Sequence, residues 1–368
     1  MPLAPESVAD AAEILRDLGE AGTTVRPVGS GSRAGWGGPD DAARILTTAG
    51  LRRIIEHNPG DFTAVLEAGV PLADAQAEFA SAGQWLALDP GSTGTIGGLV
   101  ATADSGPARH RYGGVRDLII GVTLVLSDGT VARSGGRVIK NVAGYDLGKL
   151  FTGSYGTLGL VAEVAVRLHP LPSGTATAVA SFTDPSALAE AAAGLSRRPL
   201  EALCLDARWR AGAGQLLTRF GGVTASAQAA ALGGLPGAAA AEVVEDDAEL
   251  WEAQRAGQRS ADGVVLKVSA RPTDLARVLR LADDVGAAVV ARAALGLAWL
   301  VLPAERAGEV GAVRAALAPR AVVTLDGGDR VESPWPEIDP GAAAVMQRIK
   351  ARFDPARIFR PGAFVGGL

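Results

Sequence analysis

The sequence predicts an α+β protein of two domains and a short closing segment, on three observations. Its 368 residues exceed the size at which one hydrophobic core keeps growing. Short β-branched runs alternate with stretches of helical spacing, and 48 glycines call for many tight turns and close backbone approaches, not a helical bundle. After the prolines at 170 and 172 the chain becomes alanine-rich, which divides it into 1–172, a smaller α+β second domain at 173–335, and 336–368.

The first domain reads in order. Val8, Ala11, Ala12, Leu15 and Leu18 recur at helical spacing between Pro5 and the glycines 19 and 22, predicting a helix over 6–18. "TTVRPV" is a strand leading into the loop "RPVGSGSRAG". "ARILTT" and "FTAVLEAG" are further strands, and His57 in "EHNPGD" reads as a turn residue. "PLADAQAEFASAG" is a helix with proline in its first turn, and "LIIGVTLVLSDGTVARSG" is a hairpin turning at Asp128-Gly129. "GLVAEVAVRLHPLP" is a strand stopped by proline, with His169 in a structural place at its end.

In the second domain helices are predicted over 184–195, 224–232, 273–285 and 304–317, alternating with strands such as "GVVLKVSA", "AAVVAR" and "AVVTL". "SAQAAALGGLPGAAAAEVV" reads as a helix, a Gly-Pro loop and another element. The tail opens as an amphipathic helix stopped at Asp354-Pro355, since proline cannot extend it.

Composition narrows the function classes. With 35 basic and 40 acidic residues and no long block of like charge, nucleic acid is a poor partner. The single cysteine, Cys204, excludes an internal disulfide and a cysteine-clamped metal or iron–sulfur site, and reads as a small buried apolar residue. Ala287 to Leu302 is apolar, but it is short for a membrane span and Arg292 interrupts it. No basic segment followed by an apolar one opens the sequence, so a cytoplasmic address is expected.

Glycine placement carries the chemistry. Gly29, Gly31 and Ala34 fit the G-x-G-x-x-G/A pattern of dinucleotide-binding Rossmann units, yet the loop runs into "GWGGPDDAA", which cannot propagate the required helix. The acidic residue expected about 20 positions on is also missing from "AGLRRIIEH". A second loop, "LDPGSTGTIGGLVATADSG", lacks an immediate long helix too. Two such loops can converge on one diphosphate through backbone amides that only glycine brings close. A third, "LFTGSYGTLGLVAEV", leads into a strand whose exposed backbone could read a purine edge.

These segments, with "KNVAGYDLGKLFTGSYGTLGL", resemble the FAD-binding stretches of the vanillyl-alcohol-oxidase or PCMH-type FAD-linked oxidase family, in particular the FAD-binding accessory subunits of bacterial glycolate oxidases. The likeness covers 1–172 and returns at "MQRIKARFDPARIFRPGAF". It implies a PCMH-type FAD-binding domain of two subdomains, with a C-terminal helix returning to it. Gly29, Ser30, Gly31 and Ser32 would meet the pyrophosphate, and Pro90, Gly91, Thr95, Ile96, Gly97 and Gly98 would follow it and the ribityl chain. Ser105, Gly106, Tyr112 and Gly113 would lie near the flavin, and Gly156, Gly159, Leu160 and Val161 near the adenine. Lys140, Tyr145 and Asp146 read as scaffold.

The first loop offers only serines where covalent attachment needs histidine or cysteine, so noncovalent FAD is expected. Relatives that oxidise D-2-hydroxy acids carry a His-Gly-Asp-Gly-Asn run in a metal cluster. Here His57, His110 and His169 all lie early and the nearest later stretch is "TLDGGDR". No catalytic base or metal site is therefore assigned. Arg109, Arg111 and Arg116 form the densest basic group, open to carboxylate binding or to supporting salt bridges. The resemblance implies an FAD-binding subunit of a complex oxidising glycolate, a small 2-hydroxy acid, beside a metal-containing flavoprotein subunit and an iron–sulfur subunit, membrane-associated only through such partners. A self-sufficient FAD oxidoreductase and an assembly subunit with vestigial flavin stand as alternatives.

Overall fold

The computed structural model describes residues 2–137 and 144–368; Lys140 lies outside them. In the first domain the helix Val8–Glu20 starts where the Ser7 hydroxyl accepts the Asp10 amide, a cap worth about 1 kcal/mol. It buries Ala11, Ala12 and Leu15. The strands Val25–Val28 and Arg44–Thr47 pair in parallel beside it. A five-stranded antiparallel sheet follows, in the spatial order Ile54–Asn58, Thr63–Glu67, Leu160–Arg167, Ile119–Val125, Val131–Gly135. Its last two strands are joined at Asp128-Gly129, where Gly129 takes φ +79°. His57 is a strand residue and not part of a turn: its Nε2 lies 3.2 Å from Gln84 Oε1 and its ring lies against Phe79.

The tail belongs to this domain by its packing. Ile358 and Phe359 are fully buried with Leu15, Val25 and Leu46. The Val25 amide donates to the Ile358 carbonyl at 2.7 Å and the Arg360 amide to Val25 at 3.1 Å. Asp354 does more than stop the helix Pro340–Phe353. Its buried carboxylate accepts from Lys350 Nζ and from the Ile358 and Phe359 amides, while Lys350 also reaches the Thr157 and Phe359 carbonyls.

The second domain is an eight-stranded antiparallel sheet, spatially Ala240–Val244, Thr175–Phe182, Ala213–Gly221, Cys204–Arg210, Ala288–Arg292, Leu297–Leu302, Val264–Ser269, Ala321–Thr324. It consists of two β-α-β-β-α-β units, each with strand order 4-1-3-2, joined edge to edge where Cys204–Arg210 meets Ala288–Arg292. The apolar stretch 287–302 is thus a hairpin inside a sheet, and none of the described helices is long and apolar enough to cross a membrane. The region 304–317 begins as 3₁₀ turns, Ala304–Glu309, before the helix Val310–Leu317. One face of the sheet is covered by helices. On the other, Val265 and Trp299 pack with Trp36 and Tyr155 of the first domain.

Candidate functional site: a cleft of three glycine-rich loops

The three loops meet. The cleft is lined by Gly29, Ser30, Gly31 and Ser32 of the first loop, Thr95, Gly97 and Gly98 of the second, and Gly156, Gly159, Leu160 and Val161 of the third. The cleft is open to solvent.

Local chemistry explains the meeting. Gly31 adopts φ +78°, a left-handed conformation that L side chains rarely take. A Cβ on Gly29 would stand 2.1 Å from Thr95 Oγ1, so the first and second loops touch only because position 29 has no side chain. Thr95 in turn caps the seven-residue helix Ile96–Thr102, its hydroxyl accepting the Gly98 amide. The strand Leu160–Arg167 runs past the end of its neighbour Thr63–Glu67, leaving one edge of Leu160 and Val161 along the cleft.

The first loop leaves a run of backbone amides unpaired. Among the described residues the backbone amides of Gly29, Ser30, Gly31, Ser32 and Arg33 donate to no acceptor. Five successive free N–H groups at the wall of a cleft suit a phosphate or diphosphate. Cations stand nearby, already paired. Arg33 is buried, binds Asp104 at 2.6 Å, and spans to the Ser92 and Thr93 carbonyls. Arg360, from the tail, reaches Asp40, the Tyr155 carbonyl and the Trp36 carbonyl. Burial opposes the charge on Asp40, but Arg26 and Arg360 outweigh it and hold the carboxyl below its ordinary range.

Other sequence-assigned positions lie outside this cleft. Ile96 is in the domain core. Gly91, next to Pro90, abuts the second domain, where a Cβ would stand 2.7 Å from the Arg255 carbonyl. Ser105 is buried and its carbonyl accepts from Gln258 Nε2 at 3.0 Å. A Cβ on Gly106 would overlap the Asp89 carbonyl at 1.6 Å. Tyr112 packs on Trp85 and His169, and burial raises its pKa. Gly113 takes φ +81° beside Asp117. Together these residues form the first domain's contact with its neighbour and the packing behind it.

Arg33, Tyr155 and Arg360 line the cleft without having been singled out from the sequence. Arg33 sits within the quoted loop but carries no periodic signal, and Arg360 lies far away in the chain. His110 lies in the short helix Arg109–Tyr112, burial lowering its pKa, and Arg111 faces Glu201 at 3.7 Å. Tyr145 is exposed, while Asp146 caps the helix Leu147–Phe151. Cys204 is buried, which pushes its thiol pKa up. Among the described residues no group of three or more His, Cys, Asp or Glu converges as a metal would require.

The unpaired first-loop amides and the contact of the first two loops at Gly29, which leaves no room for a Cβ, fit a dinucleotide held through its diphosphate, without the helix end of a Rossmann unit. Residues 2–135 match the FAD binding domain family, and that part of the chain is an FAD-binding domain of the PCMH type. It is 35% identical over 191 residues to the glycolate oxidase subunit GlcD of Bacillus subtilis, covering 51% of this chain and 41% of that protein. To the glycolate oxidase subunit GlcE of Escherichia coli it is 36% identical over 180 residues, covering 48% and 51%. The chain thus matches about half the length, or less, of these curated relatives. A solved structure of alkyldihydroxyacetonephosphate synthase shares the fold, with TM-score 0.69 at 14% identity over 97% of this chain and 76% of that one.

Proposed function

We propose that this chain is the FAD-carrying subunit of a complex that oxidises glycolate or a similar small 2-hydroxy acid. It would hold FAD noncovalently and work beside a metal-containing flavoprotein subunit and an iron–sulfur subunit. The observation that carries the reading is the cleft itself, bounded by three glycine-rich loops and lined by first-loop residues whose amides have no acceptor among the described residues. The similarity to two glycolate oxidase subunits supports the substrate class. When bound, FAD supplies the two-electron acceptor.

This chain's residues bind and orient. Gly29 to Ser32 would hold the diphosphate through main-chain N–H groups, Thr95, Gly97 and Gly98 would follow it toward the flavin, and Gly156, Gly159, Leu160 and Val161 would frame the adenine. Ser105, Gly106, Tyr112 and Gly113 would lie near the flavin, and Pro90, Gly91 and Ile96 along the pyrophosphate and ribityl chain.

The test is cofactor content and turnover. The purified chain is expected to take up FAD stoichiometrically and to release it into the supernatant on acid precipitation. Dye-linked glycolate oxidation should be slow for the chain alone and restored on co-expression with partner subunits. A chain that refuses flavin sinks the FAD assignment; full turnover by the chain alone sinks the subunit role.

A further inference from the structure

We propose that Arg259, a second-domain residue, is a positioning residue for the dinucleotide site: it sets the orientation of the first-loop amides, so that diphosphate affinity depends on the second domain. This inference rests on the reading of the cleft as an FAD site.

The geometry is continuous across the domain seam. Arg259 Nη2 donates to the Ser32 carbonyl at 3.2 Å and Nη1 to Ser92 Oγ at 2.6 Å, so one guanidinium touches the first and second of the three glycine-rich loops. Its other face is fixed by the Asp326 carboxylate, which accepts from Nε at 2.7 Å and from Nη2 at 3.0 Å. Asp326 also accepts the indole N–H of Trp36, the residue that follows the first loop, at 2.9 Å. The Trp36 ring lies 5.1 Å from the Arg259 guanidinium carbon. Asp326 comes from "TLDGGDR", so the stretch that carries no metal-binding histidine here serves as the anchor of this grip.

Peptide planarity supplies the consequence. In a trans peptide the C=O of Ser32 and the N–H of Arg33 point in opposite directions within one plane. Arg259 does not line the cleft, whereas Ser32 and Arg33 do, so the guanidinium pulls the Ser32 carbonyl to the far side of the loop. The Arg33 amide is thereby turned toward the cleft, where among the described residues it has no acceptor. Without Arg259 the peptide is free to flip. A carbonyl oxygen would then enter the nest and repel the anion that the amides attract.

The experiment compares three ligands on the full chain: FAD, ADP, which carries the diphosphate without flavin, and riboflavin, which carries flavin without phosphate. Affinities would be measured by fluorescence and calorimetry for the wild type, Arg259→Gln, Arg259→Lys and Ser92→Ala, with thermal unfolding recorded for each. In Arg259→Gln, FAD and ADP are expected to weaken tenfold or more while riboflavin changes less than twofold. Arg259→Lys should recover part of the loss, and Ser92→Ala, which spares the Ser32 contact, should lose little.

Equal weakening of all three ligands, or none, in a folded Arg259→Gln protein overturns the proposal. Should Arg259→Gln fail to fold, Arg259→Lys decides: selective loss of FAD and ADP relative to riboflavin supports the positioning role, and unchanged ratios overturn it. Failure of the wild type to bind FAD would instead overturn the FAD reading itself.

Discussion

Replacing Gly29 by alanine tests the central geometric feature, the contact between the first two loops. The new methyl would sit 2.1 Å from Thr95 Oγ1 and 3.2 Å from Thr95 Cβ, whereas ordinary contact begins at 3.4 Å. Either the loops part by about 1 Å or the Thr95 hydroxyl leaves the Gly98 amide it caps. Overpacking of this kind costs about 1–3 kcal/mol, and loss of an N-cap about 1 kcal/mol. If most of that cost is paid within the nest, FAD affinity falls by about tenfold to a hundredfold, at about 1.4 kcal/mol per factor of ten. Thr95→Ala by itself should cost about 1 kcal/mol, yet in the double variant the smaller side chain makes room for the methyl. The two effects are therefore expected to be less than additive by about 1 kcal/mol, measured as a double-mutant cycle in urea unfolding and in FAD titration. Additive losses, or a Gly29→Ala protein with wild-type FAD affinity, would refute the close approach of the loops as the basis of the site.

Asp206 and Arg292 form a fully buried ion pair at 2.6 Å, and Asp206→Asn should cost about 3–5 kcal/mol in urea unfolding by stranding the Arg292 charge. A variant as stable as the wild type would refute this. Lys350→Met should cost about 2–4 kcal/mol and expose the tail to protease, because it removes the three oxygen contacts that tie residues 354–359 to Thr157; unchanged proteolysis beyond residue 350 would count against it. Burial pushes the Asp89 carboxyl up to about 7, against the opposing pull of Arg292 and the Ala108 amide. A native pKa above the unfolded value of about 3.9 means that this group favours folding most in acid, and that its contribution is lost as pH rises from about 4 to 7. The wild type should lose at most about 4 kcal/mol relative to Asp89→Asn over that window, measured by paired denaturant melts; parallel stability curves would refute the shift.

Local chemistry was legible in the chain. Gly22 and Gly129 mark element ends through preferences that depend on neighbours a few residues away, and the structure places a helix end and a turn there, each with positive φ. The first loop was readable as lacking the Rossmann helix because glycines and Pro39 forbid a helix whatever surrounds them. The strands Thr175–Phe182 and Ala213–Gly221 were not legible. Both lie inside a sheet covered on two faces, so the alternation that marks a half-buried strand is blurred. The duplicated β-α-β-β-α-β plan went unseen with them.

What the sequence by itself determined is which segments turn tightly enough to expose successive amides, since backbone freedom belongs to each residue type. Only the tertiary structure decided that Arg33 meets Asp104, that Arg360 borders the cleft, and that Arg259 crosses the seam to Ser32 and Ser92. The partners in these contacts lie 71 to 227 positions apart. Long polar side chains leave no periodic trace, and their pairing is fixed by where the two domains place their backbones, a property no local stretch contains.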